Sequence, residues 1–392
     1  MTSASVPPSA EVIDGLLSPE GWAYASMPPV DKDDPGRYHA LFGRDSLIFA
    51  LQLLPHRPEI ASATLRALAA LQGSADDPEI DEQPGKIIHE YRPVAPDWLK
   101  DAGWPLRDGG ISYYGTSDAT SWFLVVLAAT EDAELQTELS AHREAAAGWL
   151  ESALDAGGGF VRCGPRNYPG GLTQQGWLDA ADLEHDEQGS GIVTEIATAP
   201  PPPLADADSQ AAAVAALRAL TSLDPQRAEH WQQRLESLQL KINTAFGPDV
   251  MAVDGHDQPV MGAGSQLGWL LWAGALHEKA AAAAVTRLTG PDVLTPYGLR
   301  TLSADHPAFL PAGYHRGGIW PFDNWIGWLG LRAYGQREAA DRVRRGVLEA
   351  LNALGLYPEL YAVTRAGGLE AIPISNRVQA WTVGAAQAFT DP

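Results

Sequence analysis

The sequence predicts an all-α fold, an (α/α)6 toroid built from paired helices. Ala- and Leu-rich amphipathic segments dominate the 392 residues, and few stretches show the alternation of β-branched residues that is typical of strands. Gly- and Pro-rich loops between the helices hold most of the Trp, Tyr, His and acidic residues, which is the arrangement of functional loops on a helical scaffold. Because composition does not shift along the chain, we expect one toroid domain over residues 1–392, with residues 1–36 as an N-terminal extension packed on it.

The helical periodicity predicts ten helices, which follow one another along the whole chain. In chain order they are Ser46–Leu54, Ile60–Gln72, Ala119–Thr130, Leu135–Leu154, Asp208–Leu223, Pro225–Ala245, Ser265–Leu276, Glu278–Arg287, Asn324–Tyr334 and Gln336–Leu354. Consecutive helices separated by loops favour helical hairpins over a parallel α/β sheet.

Charge and cysteine usage narrow the classes of function. The chain has 27 basic and 49 acidic residues, and its net charge of −22 disfavours nucleic acids and anionic membranes as partners. Cys163 is the single cysteine, so we expect no disulfide within the chain and a reducing, cytoplasmic location. Residues 1–10 lack an apolar signal core, and no apolar run is long enough to span a bilayer. We expect no cofactor or metal, because phosphate-loop, dinucleotide and zinc motifs are absent, and we leave homo-oligomerisation open.

The segment from Tyr314 to Trp325 combines aromatic and polar groups in a way that indicates a sugar-binding cleft. It holds His315, Arg316, Trp320, Asp323 and Asn324 among glycines and a proline. Rings stack on the C–H faces of a pyranose, while charged and amide groups bind its hydroxyls. We therefore predict a carbohydrate substrate.

Two acidic motifs are candidates for catalysis. In the first, Asp179 and Asp182 follow Gln175 and Trp177, and a carboxyl beside an indole is partly desolvated, so it can stay protonated as a general acid. Acids favoured by a helix N-terminus would give the same pattern. In the second motif, Glu359 stands between two tyrosines and after a proline, where it is either a general base or an ordinary surface residue.

Three further loops place polar residues beside aromatic ones at helix starts or loop ends. Arg44 and Asp45 open a helix, where they either bind sugar hydroxyls or serve as a cap. His89 and Glu90 lie in the second loop, and Tyr114 and Asp118 lie in the third. The structural alternative is a pair of salt-bridged loop ends for the second loop and a helix capped by an Asp for the third.

Taken together, these motifs resemble the bacterial amylo-α-1,6-glucosidases, which are glycogen-debranching-like enzymes related to the glycoside hydrolase family 63 and trehalase toroids. The resemblance rests on eight segments that occur in order along most of the chain: 42–47, 84–90, 113–120, 175–179, 300–303, 314–324, 358–360 and 379–381. It implies an inverting α-glycosidase with Asp179 as the general acid, Glu359 as the general base and Asp182 as the alternative acid. It also implies a sugar pocket lined by Arg44, Asp45, Trp177, His315, Trp320, Asp323 and Trp381.

The chain departs from the pattern of this family near the scissile bond. Leu178, Ala180 and Phe322 stand where the family usually has Lys, Ser and His, and Trp269 stands where it has His. The large N-terminal β-domain of many relatives has no counterpart in the sequence, so we expect the toroid alone. These changes predict altered subsites around the bond that is cleaved.

Several substrates and two other classes of protein remain open. Short α-glucans with a 1,6 branch fit the resemblance, whereas glucosylglycerate or mannosylglycerate fits a lone toroid. The acidic solutes would need a basic group at the aglycone, for which Arg316, Lys86 and Arg92 are candidates. A sugar epimerase or isomerase would use His89 and His315 for proton transfer, and a catalytically inactive carbohydrate-binding protein is the alternative that is not an enzyme.

Overall fold

Helices are the main regular secondary structure in a computed structural model, which describes residues 7–29, 36–164, 171–181, 183 and 188–390. The helices are α1 (Ala10–Asp14), α2 (Gly43–Leu53), α3 (Pro58–Ala70), α4 (Asp97–Asp101), α5 (Ala119–Ala129), α6 (Ala133–Glu138), α7 (Ser140–Ala156), α8 (Ala207–Leu223), α9 (Ala228–Ala245), α10 (Gln266–Trp272), α11 (Glu278–Leu288), α12 (Pro321–Ala333), α13 (Arg337–Leu354) and α14 (Ala380–Ala388). A short 3-10 turn, Pro225–Arg227, precedes α9.

Six of these helices form a closed inner ring. Helix α2 packs on α5, then α5 on α8, α8 on α10, α10 on α12 and α12 on α14, and α14 returns to α2. Each inner helix also contacts one outer helix, in the pairs α2 with α3, α5 with α7, α8 with α9, α10 with α11, α12 with α13 and α14 with α1. Five of these pairs are consecutive in the chain, apart from the short α6 between α5 and α7, and the sixth joins the last helix to the first. Six inner helices, each backed by an outer helix, are an (α/α)6 toroid, so the predicted fold class is confirmed.

Short strands join the loops at the ends of the helices. They are β1 (Leu41–Phe42), β2 (Glu90–Arg92), β3 (Ile111–Tyr113), β4 (Ala205–Asp206), β5 (Val250–Val253), β6 (Pro259–Met261), β7 (Leu294–Thr295), β8 (Gly298–Leu299), β9 (Tyr361–Val363) and β10 (Leu369–Ala371). They form four small antiparallel sheets, β1-β2-β3, β4-β5-β6, β7-β8 and β9-β10. In the first sheet Phe42 pairs with Glu90, and Glu90 pairs with Tyr113. The pairing brings together loops that are distant in sequence.

The inner helices approach one another closely where glycines face each other. A Cβ atom added to Gly268 of α10 would lie 2.6 Å from the Cα atom of Gly327 in α12, which is closer than carbon atoms can pack. The glycine at position 268 therefore sets the distance between two helices of the inner ring.

The structure differs from the predicted elements at a few places with identifiable causes. The predicted helix Leu135–Leu154 is divided into α6 and α7 at Leu139. Helix α14 was not predicted because eight of its nine residues are buried, so that its sequence lacks the polar face on which helical periodicity depends. Helices α1 and α4 have five residues each, too few for a periodic signal.

The described part of the N-terminal extension packs against the toroid. Helix α1 contacts α14, and Ser26 forms a bridge with Gln379 at the start of α14. The division of the chain into domains stays a prediction. Among the helices of the described residues, none has the length and apolar character needed to cross a membrane.

Candidate active site

The N-terminal ends of three inner helices, α2, α12 and α14, meet at a cavity of about 320 Å³. Arg44 and Asp45 come from the first turn of α2, Trp320 precedes α12, and Trp381 is the second residue of α14. Helix N-termini carry a partial positive charge, which favours the acidic residues that line this cavity. The predicted catalytic residues, Asp179 and Glu359, both lie in its wall.

Asp179 belongs to a buried ionic cluster around Arg44. The Arg44 Nε atom donates to both carboxylate oxygens of Asp118 at 3.0 and 2.8 Å, and its Nη2 donates to the Gly176 carbonyl at 2.8 Å. The contact from Nη1 to Asp179 Oδ2 is longer, 3.3 Å. Burial raises the pKa of Asp179 to about 6, although Arg44 opposes the shift. The side chain of Asp179 remains 26% exposed, whereas that of Arg44 is 3% exposed, so Asp179 can reach a ligand.

Glu359 is held on both of its carboxylate oxygens. The Tyr314 hydroxyl donates to Oε1, and the backbone N–H of Asn376 donates to Oε2 at 3.2 Å. Both hydrogen bonds favour the ionised form. Burial nevertheless raises the pKa of Glu359 to about 8, and the neighbouring charges of Asp45 and Asp179 add to the shift. Glu359 is thus an oriented carboxyl group that takes up a proton near neutral pH.

A hydrogen-bonded chain of amides connects Glu359 to Asp45. Asn376 Nδ2 donates to Gln379 Oε1 at 2.6 Å, and Gln379 Nε2 donates to Asp45 Oδ1 at 3.4 Å. Burial raises the pKa of Asp45 to about 7. Gln379 was quoted in the sequence motif but was not predicted to lie at the site, and its contacts show that it orients Asp45.

Aromatic rings form the apolar walls of the cavity. The Trp177 ring meets Trp320 edge to face at a centroid distance of 5.5 Å, and Trp320 meets Trp381 in the same way at 5.9 Å. Phe322 is completely buried behind them, where it stacks on Trp381 at 3.7 Å and meets Trp177 edge to face at 5.2 Å. Phe322, which departs from the family pattern, therefore supports the Trp177 and Trp381 rings of the wall and does not face the cavity.

Both histidines of the cavity are uncharged. Burial lowers the pKa of His89 and of His315 well below the usual value, and the positive charge of Arg44 lowers them further. The backbone N–H of Gly191 donates to His315 Nδ1 at 3.0 Å, so this nitrogen is an acceptor and the proton is on Nε2. His315 is therefore a neutral side chain that hydrogen-bonds the backbone of Asp179 and so helps to position the segment that carries the carboxyl group.

The structure brings ten of the predicted site residues to the cavity. They are Arg44, Asp45, His89, Glu90, Trp177, Asp179, His315, Trp320, Glu359 and Trp381. Their roles in binding or catalysis stay predictions.

Six other predicted site residues do not line the cavity. Asp118 binds Arg44 from behind, as described above. Asp323 is fully buried and accepts a hydrogen bond from the Trp269 indole at 2.7 Å, and Asn324 binds the backbone of Leu299. The remaining three bond elsewhere: Tyr114 to the Leu71 carbonyl, Gln175 to Asp81, and Arg316 to the Ser190 carbonyl. Their positions support structural roles, and Asp182 lies outside the described residues.

The cavity also contains residues that the sequence did not point to. Arg37 and Tyr38 reach it from the segment before α2, and Trp98 and Trp104 reach it from the loop around α4. Tyr314 lies within the aromatic segment that was singled out, but its contact with Glu359 has no local signal in the sequence. A search for every aromatic residue in the loops before inner helices would have found the two tryptophans.

A larger cavity of about 530 Å³ lies beside α7. It contains Lys86 and Gln175, together with Trp149 and Thr116. Neither Asp179 nor Glu359 lines it. The smaller cavity is therefore the better candidate for the active site. Within the described residues, no cluster of His, Cys, Asp and Glu could hold a metal ion.

Comparisons with known proteins concern the fold and the class of domain. Residues 200–367 match the family described as the mannosylglycerate hydrolase MGH1-like glycoside hydrolase domain. No curated protein matches the sequence significantly. Among solved structures, the family 63 mannosylglycerate hydrolase of Thermus thermophilus in complex with Tris and D-glycerate has a TM-score of 0.70 and 18% identity, over 97% of this chain and 98% of that one.

Two other structures from Thermus thermophilus are similar. The same hydrolase in complex with glucose has a TM-score of 0.69 and 17% identity over 97% of this chain and 98% of that one. An uncharacterised conserved protein has a TM-score of 0.68 and 16% identity over 99% of this chain and all of the other. These identities establish the fold. The family match is to a glycoside hydrolase domain and covers residues 200–367, which is less than half of the chain. None of these comparisons supports the amylo-glucosidase assignment in particular.

Proposed function

We propose that this protein is an inverting glycoside hydrolase that cleaves a small α-hexoside with an acidic aglycone, of which mannosylglycerate and glucosylglycerate are examples. The observation that carries the proposal is the cavity of about 320 Å³ that is lined by Asp179, Glu359 and five tryptophans. Its volume is near the lower end of the range of roughly 300–1,000 Å³ for ligand pockets. A short glycoside suits this space better than a branched glucan.

The contacts of the two carboxyl groups support a division of roles. Asp179 has a single hydrogen bond, to Arg44, and a partly exposed side chain, so it can present a proton to the glycosidic oxygen. Glu359 accepts hydrogen bonds on both oxygens, as a carboxylate that activates water requires. Asp179 then acts as the general acid and Glu359 as the general base, with water attacking the opposite face of the sugar.

Arg37 supplies the charge that an acidic aglycone needs. Of the basic residues considered from the sequence, Lys86 lines the other cavity, and Arg92 donates to Glu90 and to the Arg37 carbonyl. The Arg37 side chain itself is exposed and lines the mouth of the site. A guanidinium there can bind a carboxylate through paired N–H groups.

A sugar epimerase has less support. Such an enzyme would need a histidine that gains and loses a proton near neutral pH. The pKa values of His89 and His315 are both lowered by burial and by the charge of Arg44.

The proposal is tested by proton NMR of the sugar released from a panel of glycosides. The panel contains mannosylglycerate, glucosylglycerate, isomaltose, maltose, panose and trehalose. We expect the β-anomer to appear first from one of the two glycerates, and Asp179→Asn and Glu359→Gln to lose turnover while they still bind the sugar. Asp305→Asn, at an exposed position outside the cavity, is the matched control. Release of the α-anomer, or full activity of either active-site variant, would refute the mechanism.

Replacement of Arg37 tests the aglycone separately. Arg37→Gln should raise the KM for a glycerate substrate at least tenfold and leave the KM for a neutral glycoside within twofold, because only the charged group is lost. Equal changes in the KM for substrates with charged and with neutral aglycones would exclude a direct contact between Arg37 and the carboxylate.

A further inference from the structure

Two tyrosines form a hydrogen-bonded chain that ends on Glu359. The hydroxyl oxygens of Tyr38 and Tyr314 are 2.7 Å apart, and the Tyr314 hydroxyl donates to Glu359 Oε1. Because Tyr314 uses its one proton on the carboxylate, Tyr38 must be the donor in the first hydrogen bond. All three residues line the cavity, and Tyr38 is next to Arg37 at its mouth.

Few groups around Glu359 can accept a proton from it. The residue is 2% exposed, its Oε2 faces the backbone N–H of Asn376, and its charged neighbours are Asp45 and Asp179. In the proposed reaction the base gains a proton in each turnover, while the acid loses one. A substrate that fills the cavity displaces the water that would otherwise accept this proton.

We propose that Tyr314 and Tyr38 form a proton relay that carries the proton from Glu359 to the mouth of the cavity after each attack by water. The inference rests on the proposed function of Glu359 as the base. Once Glu359 is protonated, the two hydroxyls turn so that Tyr314 donates to Tyr38 and Tyr38 donates to water. The proton on Glu359 then moves to the Tyr314 oxygen, the Tyr314 hydroxyl proton moves to the Tyr38 oxygen, and the Tyr38 hydroxyl proton passes to water. Each tyrosine gains one proton and loses one, and Glu359 returns to a carboxylate.

The properties of the tyrosines agree with a relay in which neither tyrosine is left ionised. Burial and the charge of Glu359 raise the pKa of both tyrosines well above the usual value, so a tyrosinate is strongly disfavoured. Both protons must then move together along the chain. Before the reaction the two hydroxyls both point toward the carboxylate, and this alignment strengthens the hydrogen bonds that hold it.

Proton release is slow enough to matter for the rate. A group with a pKa of about 8 gives its proton to water at roughly 10² s⁻¹, if recombination is at the diffusion limit of about 10¹⁰ M⁻¹s⁻¹. Typical kcat values are about 1–10³ s⁻¹. Removal of one hydroxyl from the relay should therefore lower the steady-state rate.

The test compares single-turnover and steady-state rates of Tyr38→Phe in the full-length protein. This variant keeps the ring and leaves the hydrogen bond from Tyr314 to Glu359 in place. We expect its steady-state rate to fall at least fivefold more than its single-turnover rate, and imidazole buffer to restore most of the loss by accepting the proton. Tyr334→Phe, at the C-terminal end of α12, is the control, because the Tyr334 hydroxyl donates to the Leu276 carbonyl and does not line the cavity.

A structural role of the tyrosines would give a different result. The relay would be wrong if Tyr38→Phe lowered both rates equally and imidazole restored neither. It would also be wrong if the steady-state rate of Tyr38→Phe stayed at the wild-type value. Tyr314→Phe should lower both rates, because it also removes a donor from the base; unchanged rates would exclude the relay. In all these cases the proposed function still holds if the Glu359→Gln variant is inactive. If Glu359→Gln is active, both the proposed function and the relay are refuted.

Discussion

The pH dependence of kcat/KM gives a quantitative test of the two carboxyl groups. Burial raises the pKa of Asp179 to about 6 and that of Glu359 to about 8. Below about pH 6 both groups are protonated and no base is present, and above about pH 8 both are ionised and no acid is present. We therefore expect a bell-shaped profile with its maximum near pH 7.

The order of the two pKa values makes the reactive protonation state rare. With Asp179 as the acid and Glu359 as the base, each group is in the required form in about one molecule in 11 at pH 7, so the reactive form is about one molecule in 120. This low population adds about 3 kcal/mol to the activation free energy. With the roles exchanged, most molecules would be reactive. The bell-shaped profile of kcat/KM is the same for both assignments, because its two apparent pKa values belong to the pair of carboxyl groups and not to either residue.

Glycosyl fluorides separate the two assignments, because fluoride leaves without help from an acid. Asp179→Asn should lose about 10²–10⁴-fold on the glycoside and keep most of its activity on the fluoride. The Asn side chain also removes a charge that raises the pKa of Glu359, so the acidic limb on the fluoride should move to lower pH. Glu359→Gln should be inactive on both substrates.

Two results would refute this reasoning. If Asp179→Asn lost the fluoride activity and Glu359→Gln kept it, the roles would be exchanged. A wild-type profile that is flat between pH 5 and 9 would show that neither carboxyl group controls the rate through its proton.

Three further predictions concern the residues that support the site. Arg44→Met leaves the buried carboxylate of Asp118 without its ion pair, so the free energy of unfolding should fall by roughly 3–5 kcal/mol; an unchanged denaturant midpoint would contradict this. Gly268→Ala places a methyl group 2.6 Å from the Gly327 Cα atom and should cost about 1–3 kcal/mol, and stability equal to that of the wild type would show that the helices separate freely. Burial raises the pKa of Asp323 to about 7, so folding favours its protonated form. The penalty is absent below about pH 4 and grows to about 4 kcal/mol above pH 7. Asp323→Asn should therefore lose this pH-dependent part of the unfolding free energy between about pH 4 and pH 7, and a slope equal to that of the wild type would refute it.

The fold could be predicted because its signal is local. Outer helices such as α9 and α13 repeat apolar residues at helical spacing, and their observed bounds lie within three residues of the predicted ones at each end, apart from the 3-10 turn before α9. Arg44 and Asp45 could also be predicted, because polar residues at the start of an apolar helix have few structural explanations. The sequence of α2 thus carries both the helix and its functional end.

Other parts of the site depend on partners that are distant in the chain. Asp323 was expected at the sugar, but its carboxylate faces the Trp269 indole, 54 residues away in the sequence. Tyr38 was missed because its partner, Tyr314, is 276 residues away. Which side of a helix start faces the cavity is decided by packing in the ring, and a single sequence contains no record of that packing.

The cluster of Asp118, Arg44 and Asp179 shows how a residue outside the cavity can control the acid. Arg44 gives its closest hydrogen bonds to Asp118, and its contact with Asp179 is a single one of 3.3 Å. A guanidinium that paired fully with Asp179 would stabilise the ionised carboxylate and make it a poor acid. Burial raises the pKa of Asp179 above its ordinary value, and the negative charge of Asp118 adds to the shift. The proton affinity of the proposed acid therefore depends on a carboxylate that does not line the cavity.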